Sequence, residues 1–346
     1  MGYRMPRLQA GRMLDFTLKM LLDLKVFDMA RRVNRSLLTV LNYHRIDDPH
    51  RSDFDTFKPN VSATPEEFAR QMDYVQSRYS VITCLDLVMW LKGECTLPPC
   101  PLLITFDDGY FDNYKYAAPI LRERNLPATI FLSTGFMGTG NAFYWDYVAY
   151  LFFHTKRNAV HLPHLGEVAW RNAASRERVM HSWINTVKFL PDEQRRQAVA
   201  EMEKVLDVKV TVDAFSGLYL GWEQLKELSE NGFELGAHTV NHPILSRIPV
   251  DRVDEELIES RKQIEKRIGK SVISFAYPNG LAQDISKEVV NSVRKAGMLL
   301  AFTLMPGPVS LRKVRTDPLL IRRIFLIHSD SFPRFVAKLA GLNKLL

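Results

Sequence analysis

A chain of 346 residues, 46% hydrophobic and 25% charged, is long enough for one large domain with an insertion, and its balance excludes a disordered or fibrous protein. The formal net charge of +7 admits anionic glycans, membrane or nucleic acid as partners, but the basic residues are scattered and no nucleic-acid motif is present, so nucleic acid is not expected. Cys84, Cys95 and Cys100 contain no Cys-x-x-Cys pair, which argues against a disulfide framework or structural zinc and fits free thiols in a reducing cytoplasm.

Residues 1–36 read as an amphipathic helical segment. Arg12, Asp15, Lys19 and Asp23 recur every three or four positions, with Leu14, Leu18 and Leu21 on the opposite face. Asp15, Asp23 and Asp28 interrupt the apolar residues, so no signal peptide or transmembrane span is expected. Arg4, Arg7, Arg12, Arg31, Arg32 and Arg35 flank the helix. Two outcomes suit that pattern: a helix docked on the following domain, or a peripheral contact with an anionic membrane surface.

The next apolar run, 37–43, ends at His44. A second run, 102–106, lacks polar alternation, as expected of a strand buried on both faces, and is followed by Asp107, Asp108 and Gly109. With a helical pattern over 114–124 and another apolar run over 129–133, it forms a βαβ unit and predicts a parallel sheet. The rhythm then changes: about 138–221 reads as a mainly helical insertion, with helix-favouring stretches at 175–188 and 191–206. Tyr144, Trp145, Tyr147 and Tyr150 cluster at its entrance and suit either sugar stacking or core packing. Residues 233–237 form a further strand, followed by His238 and His242, whose imidazoles share a side if the chain there turns helical.

Two adjacent carboxylates in one pocket raise each other's pKa unless a cation absorbs one of them. A metal would let one aspartate act as ligand while the other stays ionised as a base. His, His and Asp make a three-ligand set with an open position, the pattern of catalytic zinc. Cobalt, nickel, manganese and iron accept the same donors.

These residues resemble the polysaccharide deacetylases of carbohydrate esterase family 4. Thr105-Phe-Asp-Asp-Gly109 is similar to the family's first motif and His238-Thr-Val-Asn-His242 to its second, and Asn42-Tyr-His-Arg-Ile46, Phe275-Ala-Tyr-Pro-Asn-Gly280 and Arg294-Lys-Ala-Gly297 extend the likeness over about 37–342. The resemblance implies a distorted β/α barrel, whereas the strand pattern alone leaves an open α/β sheet equally allowed. It implies Asp107 as catalytic base, Asp108, His238 and His242 as metal ligands, and the backbone N–H of Asn279 as oxyanion donor. Where many members carry an arginine two residues before the proline, this chain has Ala276, so Arg322 or Arg323 is the candidate replacement to orient the base. Tyr277 and Arg323 are candidate substrate-binding residues. For the proton that the departing amine needs, the candidates are His328, after the apolar run 324–327, and His44. The expected activity is metal-dependent removal of N-acetyl groups from an N-acetylhexosamine-containing surface glycan or exopolysaccharide, with release of acetate. Hydrolysis of another small amide and weak glycan binding on the same fold are the alternatives. A lipid-linked glycan at the inner membrane face would reconcile a cytoplasmic location with a sugar substrate.

Overall fold

The computed structural model describes the backbone of residues 7–342 and the side chains of residues 13–342. Arg4 lies outside the described residues, and so do the side chains of Arg7 and Arg12. Seven parallel strands close into a barrel: β1 (Leu37–Tyr43), β2 (Pro101–Phe106), β3 (Ala128–Leu132), β4 (Phe233–Ala237), β5 (Ser274–Ala276), β6 (Leu300–Pro306) and β7 (Ile321–Phe325). Each pairs with its successor, and β7 returns to β1 through Leu41↔Ile324 and Asn42↔Phe325, so the open sheet is ruled out.

The strands are buried on both sides, which explains their unbroken apolar runs: all residues of β2 and of β3 are buried. Leu38, Val40, Leu103, Phe131, Leu300, Phe302 and Ile321 belong to one inner cluster, while a larger cluster joins the strands to the surrounding helices. Gly236 on β4 is required by this packing, because a Cβ there would meet the Phe131 ring at 2.4 Å.

Between β3 and β4 the insertion builds its own core from the helices Tyr144–His154, Ala173–Lys188, Asp192–Ala200 and Met202–Leu206. It also contains an antiparallel pair, Ala159–Leu162 with Gly166–Ala169, that a purely helical reading leaves out. At the N-terminus the helix Arg7–Asp23 packs on the helix Phe332–Leu339. Leu18 is buried, Leu14 and Leu21 pack against the main core, and Asp15 accepts hydrogen bonds from Ser331 (2.8 Å) and Arg334 (2.7 Å). The face carrying Leu14, Leu18 and Leu21 is therefore the docked one. Cys84, Cys95 and Cys100 are all free thiols.

Candidate active site

The carboxyl ends of the strands carry the site, as loops at that end of parallel barrels do. Asp107 leaves β2 with its N–H bonded to the carbonyl of Tyr43 (2.9 Å). Asp108 and Gly109 both adopt left-handed backbone, with φ of 75° and 79°. The turn explains the glycine: a Cβ at Gly109 would stand 2.8 Å from the Met137 sulfur. The turn aims the Asp107 and Asp108 side chains into one buried space.

After β4 the chain does not turn helical. Residues 238–244 are irregular, with Thr239 at φ 70° and His242 at φ 55°. The Glu256 carboxylate holds this turn, accepting from the N–H groups of Val240 and Asn241 (2.8 Å each) and from the Asn241 amide (2.7 Å). Thr239 Oγ1 accepts from the His242 N–H at 2.9 Å and donates to the His238 carbonyl. Both imidazoles therefore converge on Asp108, each Nε2 lying 3.5 Å from its Oδ1. Backbone strain of this kind, concentrated at Asp108, Thr239, His242 and Asn279, typically accompanies functional sites.

Arg323 supplies the cation next to Asp107. Its guanidinium is fully buried inside the barrel and grips the carboxylate by two parallel 2.7 Å hydrogen bonds. Its Nε donates to the carbonyl of Thr303 (3.1 Å). Burial alone would push Asp107 up, but Arg323, His238 and His44 together hold it well below the ordinary carboxylate range. Arg323 thus engages Asp107 and, although expected as a substrate-binding residue, does not line the cavity; Arg322 is exposed. Tyr277 touches the cavity, but its hydroxyl turns away to the carbonyl of Leu319 (3.0 Å), leaving no polar side-chain atom for a ligand.

Of the two histidines considered as acid, only His44 lines the cavity. Its ring packs edge-on against Phe325, and its Nδ1 is buried without a partner. Burial lowers its pKa, against the opposing pull of Asp108 and Asp107. His328 is exposed, three residues beyond the end of β7, with its N–H bonded to Val61 and its ring beside His50. His328 therefore stands outside the cavity. Asn279 lines the cavity at φ 59°, and its backbone N–H makes no hydrogen bond within the described residues, while its side chain donates to Asp284.

The cavity measures about 160 Å³, and eleven of its eighteen lining residues come from outside the recognised motifs. The insertion contributes Tyr144, Trp145, Ile184, Asn185, Lys188 and Arg195. Trp145 stacks flat on Phe143 at 4.5 Å and meets His242 edge-on at 5.1 Å. Tyr147 and Tyr150 instead serve the insertion, through Glu203 and Phe215. Asp146 anchors this wall: fully buried, it accepts from Tyr110 (2.7 Å), Tyr219 (2.8 Å) and the Phe57 N–H (3.0 Å). The Tyr110 oxygen in turn accepts from Trp145 Nε1 (2.9 Å) and Asn60 (3.1 Å). No sequence pattern announced these contacts, because they join segments dozens of residues apart.

Asp108, His238 and His242 offer one donor each, all within 4.8 Å of one another, the spacing of ligands that sit about 2 Å from a shared ion. The donors fit a divalent cation. Asp108 Oδ1 is buried with no hydrogen-bond partner, and His238 gives its Nδ1 proton to the Ala276 carbonyl (2.7 Å), leaving Nε2 toward the site. Without a cation, burial and the charge on His238 drop His242 to about 3, whereas Asp108 and Asp107 raise His238 despite its burial.

A closed parallel barrel with an Asp-His-His cluster at its carboxyl end has the architecture of a carbohydrate deacetylase. The chain belongs to the polysaccharide deacetylase family, whose family model matches residues 96–301. It is 24% identical over 317 residues to the poly-β-1,6-N-acetyl-D-glucosamine N-deacetylase of Staphylococcus aureus, an alignment covering 88% of this chain and 83% of that one. Its fold is similar to that of the Streptococcus pyogenes deacetylase PplD solved with acetate (TM-score 0.59, 18% identity, 88% and 98% coverage). It is also similar to that of IcaB from Ammonifex degensii (TM-score 0.56, 21% identity, 88% and 98% coverage). His44 and Arg323 both lie outside the segment matched by the family model.

Proposed function

We propose that this chain is a metal-dependent N-deacetylase of an N-acetylhexosamine-containing glycan, releasing acetate and leaving an amino sugar. The observation that carries the reading is the pairing, in one cavity, of an arginine-clamped Asp107 with the Asp108, His238 and His242 donor set. A divalent ion held by those three would lower the pKa of water from about 15.7 to about 7 and polarise the acyl oxygen. Asp107, kept ionised by Arg323, accepts the proton of the attacking water. The negative charge that develops on the acetyl carbonyl oxygen is stabilised by the N–H of Asn279, a donor of a kind typically worth about 3–4 kcal/mol. His44, in its protonated fraction, gives a proton to the nitrogen as the C–N bond breaks, so that acetate and a free amine leave.

A base with a bidentate cation of its own needs no arginine at position 276, so Ala276 does not favour weak glycan binding over catalysis. The flat Trp145 surface beside His242 suits the face of a sugar ring. Because the staphylococcal relative is named for poly-β-1,6-N-acetyl-D-glucosamine, a β-1,6-linked N-acetylglucosamine oligomer is the first substrate to test. The assay is acetate release across N-acetylhexosamine oligomers, lipid-linked glycans and small amides, with each divalent metal and with Asp107→Asn as control. Oligomer binding without acetate under every metal would overturn the reading.

A further inference from the structure

We infer that the N-terminal helical pair is a docking surface for an anionic phospholipid bilayer. Once Leu18 is buried against the barrel, the opposite side of the helix Arg7–Asp23 should be polar if the helix served only as packing. Instead Met13, Phe16 and Met20 stand exposed there, and Leu24 continues the stripe one turn on. Phe16 is 65% exposed and Leu24 70%. The next helix, Val26–Val33, repeats the arrangement: Phe27 is buried, while Met29 and Val33 (82% exposed) point outward. Six of the fourteen large exposed apolar residues among the described residues fall in this one segment, and the other eight are scattered from Leu85 to Phe325. A patch of this kind marks an interaction surface.

The charge around the stripe selects the partner. Lys19, Lys25, Arg32 and Arg35 make no ion pair among the described residues, and Asp23 is the lone unpaired acid of the segment. On the second helix Arg32 shares the outward face with Met29 and Val33, three and four residues apart. Arg31, Arg32, Arg35 and Arg78 line a basin of about 510 Å³ whose wall holds no carboxylate, Asp28 pairing with Arg31 and Arg78 from outside it. Apolar side chains flanked by cations match an interface of acyl chains under phosphate headgroups, whereas a protein partner burying the stripe would have to neutralise four cations as well. No described helix is long and apolar enough to cross a membrane, so the contact is peripheral.

The test is flotation of the full chain with phosphatidylcholine vesicles, with and without phosphatidylglycerol. The wild type floats with the phosphatidylglycerol vesicles, stays in solution with phosphatidylcholine alone, and is released by high salt. Phe16→Ser with Met20→Ser, which removes apolar side chains from the acyl region, and separately Arg32→Glu with Arg35→Glu, which reverses charge against the headgroups, each lower binding by about tenfold or more. Val212→Ser, which removes an exposed apolar group elsewhere, leaves binding unchanged. Each variant is checked by its thermal melt and by turnover of a soluble substrate, which separates lost docking from lost fold and from any failure of the deacetylase reading. Failure of the wild type to float, or flotation of both double variants at wild-type levels, overturns the proposal. So does a stable dimer by light scattering that Phe16→Ser with Met20→Ser dissolves, because the occupant is then a second copy.

Discussion

The barrel rim and the helical insertion face each other across one cavity, yet they are built by opposite rules. On the rim, Asp107, Asp108, His238 and Arg323 are buried and His44 and His242 partly so, Asp107 and His238 are each held by a specific partner, and the backbone bends through left-handed turns to bring the ligating groups together. The insertion has a conventional apolar core of its own and touches the site with Tyr144, Trp145 and Ile184 beside Asn185, Lys188 and Arg195. The difference teaches how the proposed deacetylation divides its labour: bond-breaking falls to the rim, and the fit of the substrate to the insertion.

The sharpest way to break that division is at Asp107 and Arg323. Asp107→Asn should cost about 10²–10⁴-fold or more in kcat, as expected on loss of a general base. Arg323→Met leaves a buried carboxylate uncompensated, with an expected loss of about 3–5 kcal/mol of stability in chemical denaturation. The sign of the pH effect follows from the direction of the shift. In the wild type Asp107 is depressed, so its stabilising contribution is present above the unfolded carboxylate value of about 3.9 and is lost as pH falls through the folded value. Without Arg323, burial is opposed less, the pKa rises, and the acid limb of kcat moves to higher pH. An unmoved acid limb would remove Arg323 from the role of positioning the base.

Next in size is the acid. His44→Ala should lower kcat by about 10²–10⁴-fold, and the residual activity should lose its decline toward alkaline pH. His328→Ala should leave kcat and KM at wild-type values. The reverse pattern in parallel steady-state measurements would contradict the cavity geometry.

Smaller effects are expected on the insertion, and of a different kind. Asp146→Ala strands two tyrosine hydroxyls and the Phe57 N–H, and should destabilise the protein by about 3 kcal/mol in thermal or urea unfolding. Trp145→Ala should raise KM for an oligosaccharide about three- to tenfold, the equivalent of one lost aromatic contact, with kcat nearly unchanged. A kcat loss as deep as that of His44→Ala would erase the distinction between the two walls.

Much of the rim was legible because its strands write themselves as apolar runs that stop at the chemistry. Asp107 and Asp108 follow β2 directly, and His238 follows β4 directly. The helical turn expected between His238 and His242 fails because Thr239 and His242 take positive φ under the hold of Glu256, a residue fourteen positions beyond His242. Arg323 was one of two candidates until closure of β7 against β1 turned it inward and left Arg322 outside. His328 was attractive because the apolar run continues through Leu326 and Ile327, but the strand stops at Phe325 and the chain leaves the barrel before the histidine. At the N-terminus the charge periodicity drew attention to Leu14, Leu18 and Leu21, and hid the second apolar stripe through Met13, Phe16 and Met20.

The most direct test of the central claim is acetate release from a β-1,6-linked N-acetylglucosamine oligomer by chelator-stripped protein, before and after addition of one equivalent of divalent metal, beside Asp108→Ala. The account predicts no acetate from the stripped chain, recovery at one metal per chain, and no recovery in the variant. Turnover that survives stripping, or that returns equally in Asp108→Ala, would contradict it.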